Sequence, residues 1–217
     1  MKGWMRIGLA AASLTGLAGC GQGADREQAA GADATPSAVA SQQAGDTVVD
    51  TREVDTEFGA VRIEQITKEG AAHVEPGRIS VSYLKDGKPD KTFPKAVELG
   101  SFGALSGFRV YNEFGALPVI VSKGGGTWQG NSCEWTVLTE LRPDGPVEVA
   151  NFESAFDNSG AKPDAPTAIT GEIGAINADN SFTVDFTGSR SFSALYLRQP
   201  DGTYQVQGGK EQQLSGC

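Results

Sequence analysis

From residue 46 onward, apolar and polar residues alternate with a period of two. Ile79, Val81 and Tyr83 alternate with Ser80 and Ser82. Cys133, Trp135 and Val137 alternate with Glu134 and Thr136, and Phe182, Val184 and Phe186 with Thr183 and Asp185. Successive side chains of a strand point to opposite faces, so each stretch predicts a strand with one buried face. Val61 to Ile63, Phe108 to Tyr111, Val147 to Val149 and Tyr204 to Val206 are shorter cases. Leu117 to Val121, "LPVIV", is apolar without interruption and predicts a central strand buried on both faces, with Pro118 near its start.

Turn signals separate these stretches. Asp86-Gly87, Asp144-Gly145 and Asp201-Gly202 sit between strand patterns, where Asp-Gly favours tight hairpins, and Asn177 to Asn180 separates two more. No long stretch repeats with the helical period. The only short-helix candidates are Ser101 to Leu105 and Ala150 to Phe156. About ten short strands with regular turns predict an all-β fold, an antiparallel β-sandwich or a partly open β-barrel.

The first 45 residues follow different rules. Lys2 and Arg6 precede an uncharged, largely apolar run, Ile7 to Leu17. That run is shorter than the ~20 residues a membrane-spanning helix needs, and it reads as a secretory signal. It ends in Leu17-Ala18-Gly19-Cys20. This "LAGC" resembles the lipobox of bacterial lipoproteins, with small residues before the cleaved bond and a thiol able to carry a thioether-linked lipid. The resemblance covers only the first twenty residues. It implies removal of residues 1–19, acylation of Cys20 and attachment to the cell envelope facing the periplasm. Gly21 and Gln22, rather than Asp, follow the cysteine, which implies the outer membrane of a Gram-negative bacterium. More than one acyl chain makes such an anchor stable, at ~0.8 kcal/mol per buried CH₂.

Residues 20–45 are then the lipidated cysteine and a tether rich in Ala, Gly, Gln and Ser, with too little apolar surface to offset ordering entropy. Residues 46–217 are long enough for one domain with its own core. The chain carries 18 Lys and Arg against 27 Asp and Glu, a formal net charge of −9. Loss of Lys2 and Arg6 with the signal would make it more negative. An acidic chain argues against nucleic acid as a partner. The expected partners are the membrane, through the anchor, and a protein of the envelope.

Candidate chemistry is sparse. Gly124-Gly125-Gly126-Thr127-Trp128 lacks the Lys-Ser/Thr of a phosphate loop and leads into a strand pattern rather than a helix. It reads as a long hairpin loop, Gly124 to Asn131, carrying Trp128, and is the candidate binding loop. Trp128 either reaches outward to stack on a sugar ring or fill a partner's pocket, or folds back as a lid on the core. Trp135 shares the strand phase of Cys133 and reads as core. Cys133 and Cys217 are the pair left after Cys20, and in an oxidising compartment they pair as a disulfide. The single histidine, His73, reads as an exposed loop residue and leaves no Cys/His zinc spacing.

No catalytic residue, metal ligand set or cofactor motif stands out. Asp157, Asn158 and Asp164, and Asn177, Asp179 and Asn180, are Asx clusters without EF-hand spacing; they read as turn formers. The leading expectation is a non-catalytic binding or inhibitor module. The alternatives are an envelope assembly or scaffold component, and a hydrolase working through two carboxylates, whose spacing no sequence reveals.

Overall fold

The computed structural model describes residues 45–208 with Leu214, Gly216 and Cys217. The signal peptide, Cys20 and the tether up to residue 44 lie outside the described residues. Among those described there are twelve strands and no helix, all neighbours antiparallel. β1 (Asp46–Thr56), β2 (Gly59–Lys68), β3 (Gly77–Lys85) and β4 (Lys88–Leu99) form a four-stranded sheet in chain order. The second sheet has eight strands, again in chain order. They are β5 (Gly107–Tyr111), β6 (Val119–Trp128), β7 (Asn131–Arg142), β8 (Gly145–Asp157), β9 (Ala168–Ile176), β10 (Phe182–Gly188), β11 (Phe192–Arg198) and β12 (Tyr204–Val206).

The sheets pack through β6 and β7. Ile120, Val137 and Leu141 meet Val61, Ile63, Ile79, Val81 and Val97 of the four-stranded sheet in one core. Val119, Val121 and Leu138 point the other way, into a second core with Phe152, Ile169, Val184, Phe186 and Tyr196. The eight-stranded sheet therefore folds back over itself, with β9 to β12 covering one side of β6 and β7. Its ladder does not close, since β5 and β12 are its two edges. The architecture is a β-sandwich and not a closed barrel. The uninterrupted "LPVIV" run has its physical reason here, because Val119, Ile120 and Val121 are all buried.

Two local expectations differ from the structure. Ala150 to Phe156 belongs to β8 and is not a helix. Its β-branched and aromatic neighbours pair with β7, and bulges at Glu134/Trp135 and Leu138/Thr139 break the alternation that would have marked a strand. Ser101 to Leu105 is a tight loop closed by a Ser101–Ala104 bridge. The Asp86-Gly87 hairpin is as its sequence suggests, with φ of 53° and 73° at its two residues.

One buried ion cluster ties the sheet's ends together. Glu140 of β7, its side chain only 4% exposed, accepts from Arg142 Nε at 2.8 Å and from Arg198 Nη2 at 2.6 Å. Arg198 also donates to the Tyr204 hydroxyl at 3.3 Å, and that hydroxyl donates to the Phe114 carbonyl at 3.2 Å. β7, β11, β12 and the segment before β6 are thus linked through a single carboxylate. Glu140→Ala should destabilise the domain by about 3 kcal/mol in urea unfolding. That is the low end for a broken buried pair, because both guanidinium groups retain some water contact.

Burial also raises two phenols, Tyr83 and Tyr196, to about 12. An unfolded tyrosine ionises near 10. Between these values the folded chain holds more protons than the unfolded one, so stability is complete below about pH 10 and falls as pH rises toward about 12. Tyr83→Phe and Tyr196→Phe should each flatten that alkaline decline, measured as the urea midpoint against pH.

Candidate functional site

The glycine run is not a loop. Gly124, Gly125 and Gly126 lie inside β6, paired with Trp135, Glu134 and Cys133 of β7. The connection is only Gln129-Gly130, both at positive φ (50° and 79°), as in a two-residue primed turn. The expected long loop, Gly124 to Asn131, is corrected to a tight hairpin whose strands carry the glycines. The reason is steric rather than flexible. A Cβ on Gly125 would stand 1.9 Å from the Cys133 carbonyl oxygen, and one on Gly126 would stand 2.6 Å from the Trp128 ring. Trp128 lies back across Gly126, where any larger residue would displace it.

Trp128 neither stands free nor enters the core. It is 39% exposed. Its ring meets Trp135 edge-on at 6.0 Å and His73 at 5.4 Å. His73 in turn packs on Phe102 at 4.7 Å. Trp135 is half-buried beneath this group, not in either core. Phe102 and Val74 are 61% and 78% exposed. Three connections therefore build one aromatic and apolar patch: the β2–β3 loop with His73 and Val74, the β4–β5 loop with Phe102, and the β6–β7 hairpin with Trp128.

Backbone bonds hold the loops to one another. Phe102 N–H donates to the His73 carbonyl (3.3 Å), Gly103 N–H to the Glu75 carbonyl (2.8 Å) and Lys68 N–H to the Gly103 carbonyl (2.9 Å). The Ser101 hydroxyl donates to the Gly125 carbonyl at 2.9 Å. Glu75 caps its own loop, accepting from Lys68 Nζ at 2.6 Å and the Ala72 N–H at 2.7 Å. The Lys68 bond first, and the Ala72 amide second, hold the Glu75 carboxyl below its ordinary value.

Cys133, opposite Gly126, is joined to Cys217 with a Cα separation of 6.2 Å. The Glu153 carboxylate accepts from the Gly216 N–H at 3.1–3.2 Å, which fastens the same terminal segment. Glu153 and the two sulfurs lie within 4.8 Å of one another, a spacing compatible with a metal. The sulfurs are bonded to each other, however, and ligation needs thiolates. The Asx clusters are engaged as turns: Asp179 accepts from the Ser181 hydroxyl and amide, and Asp157 from the Ser159 amide. These bonds, led by the Ser181 hydroxyl and the Ser159 amide respectively, lower both carboxyls.

A groove of about 330 Å³ opens between β5, β6 and β9, lined in part by Arg109, Tyr111, Val121 and Ile173. Its one carboxylate, Glu172, is paired with Lys123 at 2.7 Å. A two-carboxylate hydrolase needs a second acid facing the first, and this groove presents none. The His73 ring is held by aromatic contacts and bonds to no hydroxyl or carboxylate among the described residues. These side chains form an exposed aromatic and apolar patch on an antiparallel β-sandwich. No family model, no curated protein and no solved structure matches the chain.

Sequence reasoning found Trp128, the glycines and the cysteine pair. It missed Phe102 and Val74, and it placed His73 in a loop without its ring partners. The signal that could have found Phe102 is its setting in Gly100-Ser101-Phe102-Gly103, a large apolar residue in a turn-forming stretch with no strand partner. With the disulfide closing a sequence separation of 84 residues, Cys217→Ser should lower stability by about 4–5 kcal/mol in the chain-entropy picture. Thiol alkylation of the folded chain with and without reductant checks the bond itself, and two thiols reactive before reduction would disprove it.

Proposed function

We propose that this chain is a non-catalytic contact module of the cell envelope, anchored through Cys20 and working through the patch of Val74, Phe102 and Trp128. One observation carries the reading: three separate connections are fastened together so that large apolar side chains stay in solvent. Folding gains little from that arrangement. Exposed aromatic anchors on a rigid base are the usual carriers of binding energy. The lipobox supports the anchor. A scaffold that assembles by strand pairing is disfavoured, because edge strand β1 carries Asp50, Arg52, Glu53 and Asp55, which discourage pairing.

The test is photo-cross-linking of the lipidated protein in intact cells, with p-benzoylphenylalanine in place of Phe102. Adducts should form there and not from Lys88, at the far end of β4 from Phe102. Trp128→Ala should remove them, consistent with a binding loss of ~2 kcal/mol, and leave the melting temperature nearly unchanged. Equal labelling from both positions, or a large fall in melting temperature with undiminished labelling, would overturn the proposal.

A further inference from the structure

The geometry points to a specific occupant for the patch: the interfacial layer of the membrane to which the chain is itself anchored. This rests on the reading of Cys20 as the anchor and of the patch as the contact surface.

The first argument is position. The Glu69 N–H donates to the Gly45 carbonyl at 2.9 Å, and the neighbouring Lys68 N–H donates to the Gly103 carbonyl at 2.9 Å. Gly45 is the first described residue, and the chain runs back from it toward Cys20. The end of the domain that carries the patch is therefore the end joined to the anchor.

The second argument is conformation. Phe102 has φ of 51° and is 61% exposed. A bulky residue in the left-handed region is strained, and its outward ring recovers nothing from the core. Val74, on the adjoining loop, is 78% exposed. These are projecting tips, suited to a soft layer, and they do not line a concave pocket for a side chain.

The third argument is polar satisfaction. A tip that reaches past the head groups into the acyl chains must not bring unpaired backbone groups with it. Here several of the loop amides are already used. Phe102, Gly103 and Ala104 donate to His73, Glu75 and Ser101, and Glu75 donates to Ala72. Trp128 presents an apolar ring with one polar edge, the type of side chain enriched at bilayer interfaces. The attraction is apolar rather than electrostatic, since an acidic chain with 27 carboxylates is repelled by anionic lipid. Contact should therefore survive high salt and occur on zwitterionic lipid.

The experiment reconstitutes the mature lipidated protein into palmitoyl-oleoyl phosphatidylcholine vesicles. A parallel set contains lipid brominated near the head-group end of its acyl chain. The mature chain's tryptophans are Trp128 and Trp135. Brominated lipid should quench their emission relative to plain vesicles, equally at low and high salt. The double variant Val74→Ser/Phe102→Ser keeps both tryptophans and the anchor; it should lose that quenching while its melting temperature holds. Equal emission from plain and brominated vesicles, or quenching undiminished in the double variant, overturns the proposal. Equal emission together with a protein adduct from position 102 would leave the patch as a contact surface and make its partner a protein. A mature N terminus without lipid on Cys20 would instead remove the reading on which the proposal rests.

Discussion

The structure depends on a single wall, β6 and β7, being buried on both faces. Ile120, Val137 and Leu141 hold the four-stranded sheet, and Val119, Val121 and Leu138 hold the folded-over half of the larger one. A polar residue at these positions would face a core whichever way it turned. That constraint explains why Val119 to Val121 is apolar without alternation.

The same wall produces the candidate site by running on beyond the cores. β6 passes from Val119, Ile120 and Val121 through three glycines to Trp128 in one continuous strand. The glycines mark where packing changes from side chain against side chain to backbone against backbone. The β4–β5 loop comes close enough for Ser101 to reach the Gly125 carbonyl. Trp128 settles across Gly126 and meets His73, and that loop then sets Phe102 outward. The rigidity of the patch is thus inherited from the core through a strand, which is more precise than support from a free loop. The disulfide at Cys133 strengthens the same region by tying the chain's terminal segment to it.

Away from the patch, ion pairs tie parts of the fold together. Glu140, 4% exposed, pairs with arginines on two strands, and Asp46, 1% exposed, pairs with Arg78. The buried carboxylate of Glu140 ties β7 to β11, two strands that are not neighbours in the sheet, through Arg198. The lowered carboxyls of Asp157 and Asp179 sit in turns, held by local hydroxyls and amides. Perturbed groups are often pointers to a catalytic centre. Here the lowered carboxyls of Asp157 and Asp179 each have a local partner that explains the shift.

The amino-acid sequence by itself determined the all-β class, the buried central strand, the Asp-Gly hairpins and the pairing of Cys133 with Cys217. These follow from period, turn chemistry and cysteine count, which are local or composition-level properties. It also marked Trp128 and the glycines, because a glycine run beside tryptophans is rare enough to notice. What it did not contain was the role of the glycines. Flexibility and close approach leave the same residues in a sequence, and only the position of the Cys133 carbonyl and the Trp128 ring separates them. Tertiary structure alone also joined His73, Val74 and Phe102 to Trp128, since they lie on three connections that no periodicity relates. Whether the larger sheet closes was decided the same way, by whether the edges β5 and β12 meet. Closure is a property of the accumulated twist of eight strands, and no single segment encodes it.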